Sequence, residues 1–199
     1  MNDSITDLEL LRLWQGGDND AGSALVKRHF KSVHRFFSSK VNAHAEDLIQ
    51  QTFVACVEAR DAFRGESSFR AYLFGLARFQ LYHYYRDGRY RNRTEYISTS
   101  LRGIATSPTG IIVRREEQQL LLRAMRRVPI DQQIALELTY WDGMSGTELA
   151  RVLGVPENTV YSRLSRAKAQ LREVLGELSK EPRDRERALA LLETNPAKE

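Results

Sequence analysis

The chain has 199 residues, with 30 Lys and Arg against 26 Asp and Glu and a formal net charge of +4. This length allows one domain or two small ones. No apolar run of about 18 residues occurs, which excludes membrane insertion, and the acidic start lacks the basic and apolar segments of a signal peptide. The single cysteine, Cys56, excludes an internal disulfide and a cysteine-rich zinc site. We therefore expect a cytoplasmic protein.

The first half of the chain is predicted to be helical throughout. Four segments carry apolar residues at helical spacing, and they cover residues 8–14, 24–37, 45–59 and 68–86. In the third segment, Phe53 and Val57 are expected to face inward with Leu48 and Ile49. No alternating pattern is long enough to build a sheet. These observations predict a small all-α domain over residues 4–91.

The composition then changes. Residues 92–113 are rich in Ser, Thr, Gly and Arg and are predicted to form a flexible linker. Helical patterns resume at Arg114 and predict a second all-α domain over residues 114–176. A charged tail, residues 177–199, follows. Its apolar patch at residues 188–192 either extends a helix or belongs to a disordered tail, and the sequence leaves both alternatives open.

The second domain contains a helix-turn-helix pattern over residues 142–175. Ser145 or Thr147 can cap its first helix, Gly154 supplies a left-handed turn position, and Pro156 sets φ just before the second helix. The second helix is amphipathic. Its inward positions are Val160, Leu164, Ala167, Leu171 and Val174. Its polar and basic outer face suits a DNA major groove, whereas a solvated helix of another bundle is the alternative interpretation.

Two further surfaces stand out in the first domain. Aromatic residues are interspersed with Arg from Phe69 to Arg93, a pattern that suits single-stranded or melting DNA because Arg neutralises phosphates and aromatic rings stack on unpaired bases. For any single tyrosine in this cluster, a place in the core is the alternative. The third helix opens with Glu46 and Asp47, which either complement the helix dipole or form part of a protein-docking surface.

The segments at residues 45–78 and 144–173 resemble two recognisable segments of bacterial sigma factors of the extracytoplasmic-function (ECF) group. In order and spacing the resemblance spans residues 5–176. It implies a protein that binds core RNA polymerase, directs it to promoter DNA and helps to melt the DNA, without catalytic activity or a cofactor. It also implies an anti-sigma factor as partner, which can hold the protein at the inner membrane. The alternative is a stand-alone helix-turn-helix regulator that binds duplex DNA without polymerase.

The resemblance also assigns expected roles to individual residues. Docking on the clamp helices of the polymerase β′ subunit falls to Glu46, Asp47, Gln50 and Gln51, and the apolar surface of the second domain is expected to bind the β flap. Contacts to the minus-ten element and the melted strand fall to Arg64, Ser67, Ser68, Phe69, Arg78, Phe79, Tyr82, His83, Arg86 and Arg89. Contacts to the minus-thirty-five element fall to Thr159, Tyr161, Ser162, Arg163, Ser165 and Arg166.

Two departures from the family pattern bear on specificity. Phe79 stands where Asn is common, and this predicts a change in the usual minus-ten preference because Phe can only stack or pack. Tyr161 stands where Lys or Arg is common, which exchanges a phosphate contact for apolar readout of a thymine methyl. An enzyme is the third class considered. The four histidines show no metal-ligand spacing, and no phosphate loop or nucleophile motif occurs, so neither catalytic nor metal-binding residues are expected.

Overall fold

The computed structural model describes residues 5–41, 44–86 and 111–194. Within these ranges the chain forms helices and connecting turns, with no strand. It divides into two compact units, Met1–Arg91 and Asn92–Glu199. The prediction of an all-α fold with two helical domains is confirmed.

The described residues of the first unit form a bundle of four helices, with a short 3-10 turn at Arg60–Ala62 between the third and the fourth. The helices are α1 (Asp7–Gln15), α2 (Asn19–Ser38), α3 (Ala45–Glu58) and α4 (Phe69–Arg86). The start of α1 is set by a capping box in which Thr6 and Glu9 exchange hydrogen bonds. Buried side chains from all four helices form the core. They include Leu10, Trp14, Leu25, Val33, Phe36, Phe37, Leu48, Ile49, Phe69, Leu73, Phe74 and Leu81.

Two features hold α1 close against α2. The indole of Trp14 lies over Gly22, where an added Cβ would come within 2.5 Å of the indole nitrogen, so only glycine permits this approach. Asp7 accepts hydrogen bonds from Arg28 and His29 on α2, each at 2.7 Å. Partial burial alone would raise the pKa of Asp7, but the hydrogen bonds and charges of His29 and Arg28 lower it to about 2.

The expected inward position of Val57 is wrong. The buried stripe of α3 runs through Ala45, Leu48, Ile49, Thr52 and Cys56, and one further residue rotates the side chain by about 100° away from that stripe. Val57 is consequently exposed, as is Val54. Phe53 is half-buried and stacks on the exposed Phe30 of α2, with ring centroids 6.1 Å apart.

The second unit contains α5 (Ile111–Met125), α6 (Ile130–Tyr140), α7 (Gly146–Leu153), α8 (Glu157–Leu178) and α9 (Pro182–Thr194). The last three residues of the predicted linker therefore begin α5, and the rest of that linker lies outside the described residues. One hydrophobic cluster joins α5, α6, α8 and α9. It includes Leu120, Leu121, Met125, Leu136, Trp141, Ala167, Leu171, Leu175, Ala188 and Leu192.

Within the charged tail, Pro182–Thr194 forms a helix that packs on the rest of the second unit, which decides between the two alternatives left open by the sequence. Ala188 and Leu192 of α9 are buried in the hydrophobic cluster, and Arg187 pairs with Glu117 of α5 at 2.9 Å. The second unit thus extends beyond the predicted end at residue 176. The five basic and six acidic residues of this segment obscured its apolar stripe, because that stripe has only two fully buried members.

Candidate nucleic-acid and polymerase interfaces

The helix-turn-helix forms from local signals. Ser145, and not Thr147, caps α7 in a capping box: its hydroxyl accepts the Glu148 N–H at 3.2 Å, and the Glu148 carboxylate accepts the Ser145 N–H at 3.0 Å. Gly154 ends α7 with a φ of 65°, in the left-handed region that favours glycine. Pro156 precedes α8 with a φ of −59°.

The sequence assigned the buried face of α8 correctly. Val160, Ala167, Leu171 and Val174 are buried, and Leu164 is partly buried. The outer face keeps Tyr161, Ser162, Ser165 and Arg166 exposed, while Thr159 is partly buried beside them. The Ser162 hydroxyl donates to the Thr159 carbonyl at 3.0 Å, and the Arg166 Nε donates to the Ser162 carbonyl at 3.3 Å. Five of the six predicted minus-thirty-five residues therefore lie together on or beside one solvent-facing surface.

Arg163, the sixth, occupies a different environment. Its guanidinium lies 3.4 Å from the carboxylate of Asp131 on α6, and its side chain is only 21% exposed. The distance satisfies an ion pair, but the geometry of that nitrogen does not give a hydrogen bond. Arg163 thus connects α8 to α6, and the sequence offered no signal for this because Asp131 lies 32 positions away in the chain.

Tyr161 is also held by contacts within the unit. Its hydroxyl donates a 3.0 Å hydrogen bond to one carboxylate oxygen of Glu157, and the Thr147 hydroxyl donates to the other oxygen at 3.1 Å. The hydrogen bond to Glu157, followed by the negative charge of that carboxylate, raises the pKa of Tyr161. Sequence reasoning missed Glu157 and Thr147, although the four-residue spacing of Glu157 and Tyr161 places both on one helix face.

The predicted minus-ten surface begins in the loop before α4. The side-chain amide of Gln15 on α1 donates to the carbonyls of Arg60 and Phe63, at 2.7 and 3.2 Å, and so anchors this loop. Arg64 is exposed and Ser67 is partly exposed. Ser68 caps α4 through a hydrogen bond from the Ala71 N–H at 3.2 Å.

One member of that predicted set does not reach the surface. Phe69 is 1% exposed and packs against His29, with ring centroids 5.4 Å apart. Its ring belongs to the core of the first unit, so the prediction that Phe69 contacts DNA is wrong. It follows Ser68 directly, and the first turn of α4 directs it inward. The sequence alone did not distinguish this buried aromatic from its exposed neighbours.

Farther along α4, some of the aromatic and basic side chains are exposed and others are partly buried. Phe79 is 64% exposed, and its ring lies 6.2 Å from that of the exposed His83. The guanidinium of Arg78 lies over the ring of Tyr82 at 4.7 Å, and both residues are partly buried. Arg86 is exposed at the end of the helix, and Arg89 lies outside the described residues.

The four predicted polymerase-docking residues share the outer face of α3. Glu46, Asp47, Gln50 and Gln51 are all exposed. Val54 and Val57 lie farther along the helix and add an apolar area that sequence reasoning missed. A polar surface beside a compact apolar one is typical of protein interfaces.

An open groove of about 370 Å³ lies between α3 and α4. His44, Asp47, Phe79, His83 and Tyr84 contribute to its walls. Within the described ranges, no group of three or more His, Cys, Asp or Glu residues could hold a metal ion. No described helix is long and apolar enough to cross a membrane.

A helix-turn-helix with a polar and basic outer face, joined in one chain to a second helical unit with exposed aromatics, defines a two-domain DNA-binding protein. Two family models match the chain: Sigma-70 region 2 over residues 25–91 and Sigma-70, region 4 over residues 118–171. The ECF RNA polymerase sigma-E factor of Escherichia coli K12 is 28% identical over 178 residues, which are 84% of this chain and 93% of that protein. The sigma-E factor of Haemophilus influenzae is 26% identical over 182 residues, covering 86% of this chain and 96% of that protein.

Solved structures agree with these relationships. The structure of CnrH in complex with the cytosolic domain of CnrY has a TM-score of 0.66 and 26% identity, and the match covers 87% of this chain and 99% of that one. The sigma factor RpoE from Bartonella quintana, solved with the anti-sigma factor NepR, has a TM-score of 0.59 and 25% identity, covering 77% and 96%. The chain belongs to the ECF group of RNA polymerase sigma factors.

Proposed function

We propose that this sigma factor docks on the clamp helices of the polymerase β′ subunit through the outer face of α3. Glu46, Asp47, Gln50 and Gln51 are all exposed and offer charged and amide groups within six consecutive residues of α3. The apolar area beside them supplies surface whose burial favours association, at about 25 cal/mol per Å² before the costs of association. In the second unit, apolar surface outside the DNA-reading face contacts the β flap.

The loop before α4 and the outer side of α4 bind the minus-ten element and the melted strand. Arg64 and Arg86 are placed to meet phosphates, and the exposed ring of Phe79 offers a stacking surface for an unpaired base. Stacking contributes about 1–3 kcal/mol per base, which offsets the few kcal/mol needed to unpair it. Ser67 and Ser68 add hydroxyl groups at the entrance of this surface.

The outer face of α8 reads the minus-thirty-five element in the major groove. Arg166 and the hydroxyls of Ser162 and Ser165 face solvent without burial, as contacts to base edges and phosphates require. The observation that carries the whole proposal is the presence of a nucleic-acid-suited surface on both units. A stand-alone regulator would use the surface on α8 and leave Phe79 exposed without a purpose.

We further propose that the protein acts in the cytoplasm, has no catalytic activity of its own, and is held inactive by an anti-sigma factor. A complex of this kind is known for the similar Bartonella quintana sigma factor, whose structure contains the anti-sigma factor NepR. Attachment of such an inhibitor to the inner membrane would keep the sigma factor at that membrane until it is released.

Co-elution of the purified chain with bacterial core RNA polymerase at near-physiological salt tests the docking step. The expected result is a stoichiometric complex that then produces run-off transcripts from a promoter library. Duplex binding by the free chain, with no polymerase complex and an intact fold, would instead establish the stand-alone regulator.

Charge reversal locates the interface. Asp47→Lys is expected to weaken core binding about tenfold, or about 1.4 kcal/mol. Asp20→Lys is the matched control, since Asp20 is likewise exposed in the first turn of its helix. Equal loss of affinity in both variants would remove α3 from the proposed interface.

A further inference from the structure

The phenol of Tyr161 is held as a hydrogen-bond donor to Glu157. Its single proton is donated to Glu157 at 3.0 Å. Glu157 cannot turn away from it without losing the hydroxyl of Thr147, which occupies the second carboxylate oxygen at 3.1 Å. The carboxylate is therefore held between the first turns of α7 and α8, and its orientation fixes that of the phenol.

Gly146 provides the space for this arrangement. A Cβ at residue 146 would lie 2.6 Å from the hydroxyl oxygen of Tyr161 and 2.9 Å from a carboxylate oxygen of Glu157. Those distances are shorter than any relaxed contact, so any other residue would displace the phenol. Tyr161 nevertheless remains 56% exposed on the outer face of α8, beside Ser162.

A phenol carries one donor and can also accept hydrogen bonds through its oxygen. Because the donor is committed to Glu157, the oxygen can only accept from a further partner. The raised pKa of Tyr161 keeps that proton in place at neutral pH. In the major groove, adenine N6 and cytosine N4 carry donor amino groups, whereas guanine O6 and thymine O4 are acceptors. These acceptor oxygens would be repelled by the phenol oxygen and by the negative charge of Glu157.

We propose that Tyr161 is a specificity-determining residue that accepts a hydrogen bond from an exocyclic amino group, on adenine or cytosine, within the minus-thirty-five element. This inference rests on the proposed function, namely that α8 reads the promoter. It replaces the expectation from the sequence, which was apolar readout of a thymine methyl by the same ring. Glu157, Thr147 and Gly146 act as positioning residues, because they set the direction of the phenol proton.

The test uses holoenzyme assembled from the full chain and core polymerase, with a promoter library randomised across the minus-thirty-five element and transcripts counted by sequencing. Wild-type holoenzyme is expected to prefer adenine or cytosine over guanine and thymine at one position, by about five- to tenfold, as one hydrogen bond predicts. Tyr161→Phe is expected to reduce that preference to about twofold or less while the other positions keep theirs.

Three further variants separate positioning from folding. Glu157→Gln leaves an amide that can donate to the phenol oxygen, which frees the phenol proton, so guanine and thymine should become tolerated at the same position. Gly146→Ala should have a similar effect because it displaces the phenol. Gly176→Ala is the control: its added Cβ would meet Arg185 at an ordinary 3.7 Å, and the wild-type preference should remain.

The outcomes are distinguishable. Retention of the full preference by Tyr161→Phe would overturn the inference and point to contact by the ring alone, as with a thymine methyl. A guanine or thymine preference at the position that Tyr161→Phe alters would also overturn it, while leaving the proposed function intact. Absence of any transcript from wild-type holoenzyme would refute the proposed function, and the inference with it.

Discussion

Replacing Asp7 by Asn is expected to destabilise the first unit by about 1–2 kcal/mol at neutral pH. Asn keeps the shape and one acceptor for Arg28 and His29 but removes the negative charge that both contacts use. The pKa of Asp7 falls from 3.8 to about 2. At about 1.4 kcal/mol per pKa unit, this lowering corresponds to roughly 2 kcal/mol of stabilisation. The Asp7 side chain is 25% exposed, so screening by solvent removes only part of it.

The pH dependence follows from the direction of the shift. Because the pKa of Asp7 is lower in the folded chain, its stabilisation is fully present above about pH 4 and is lost as pH falls toward about 2. The gap in unfolding free energy between wild type and Asp7→Asn should therefore close over that interval.

Urea unfolding monitored by tryptophan fluorescence measures the effect in the full chain. The chain has two tryptophans, one in each unit, so a Trp141→Phe background leaves Trp14 of α1 as the probe for the first unit. Asp20→Asn serves as control, since Asp20 is exposed and should change the unfolding free energy by about 0.5 kcal/mol or less. An unchanged unfolding free energy for Asp7→Asn at pH 7, or a gap that persists near pH 2, would refute the reasoning.

Two other predictions concern the second unit. Arg166→Ala should weaken promoter binding by about 1–3 kcal/mol, lower promoter-specific transcription and relax the preference at one base position. It should not lower the melting temperature, because Arg166 is exposed. Arg163→Ala should lower both promoter-specific transcription and the melting temperature, because it leaves Asp131 without this ion pair. Equal melting temperatures for the two variants would show that the pair with Asp131 has no structural role. Leu192→Ala should destabilise the second unit by about 2–5 kcal/mol in urea unfolding followed through Trp141 fluorescence, since Leu192 is buried, whereas the exposed Glu193→Ala should have little effect. Similar losses for these two would exclude α9 from the core of this unit.

Those features of the fold that arise from near neighbours were predictable from the sequence. The left-handed Gly154 and the proline before α8 each act within a few residues, and their residue types have few alternative uses, whereas the cap of α7 was left open between Ser145 and Thr147. The apolar spacing of α8 gave its buried face correctly, because a helix of 22 residues repeats the pattern several times.

The errors occurred where the outcome depends on packing between distant segments. Phe69 and Phe79 look equivalent in the sequence, yet the first packs on His29 of α2 and the second faces solvent. Val57 fits an apolar spacing for α3. However, α2 and α4 cover only a narrower stripe of α3 side chains, and Val57 lies outside that stripe. The position of α9 similarly depends on a cluster supplied by α5 and α8, which no local pattern encodes.

Contacts within the second unit, both local and between helices, also bear on how the outer face of α8 can bind DNA. Arg163 is held by Asp131, Tyr161 by Glu157, and Arg166 by the Ser162 carbonyl, all before any DNA is present. Immobilising a flexible side chain costs about 0.5–1.5 kcal/mol on binding, and a side chain already held has part of that cost met in the folded protein. If α8 reads the promoter as proposed, its specificity also depends on Glu157 and Asp131, which hold Tyr161 and Arg163. A comparison of the base-contacting residues alone would then not predict the promoter, since Glu157 decides the direction of the Tyr161 proton.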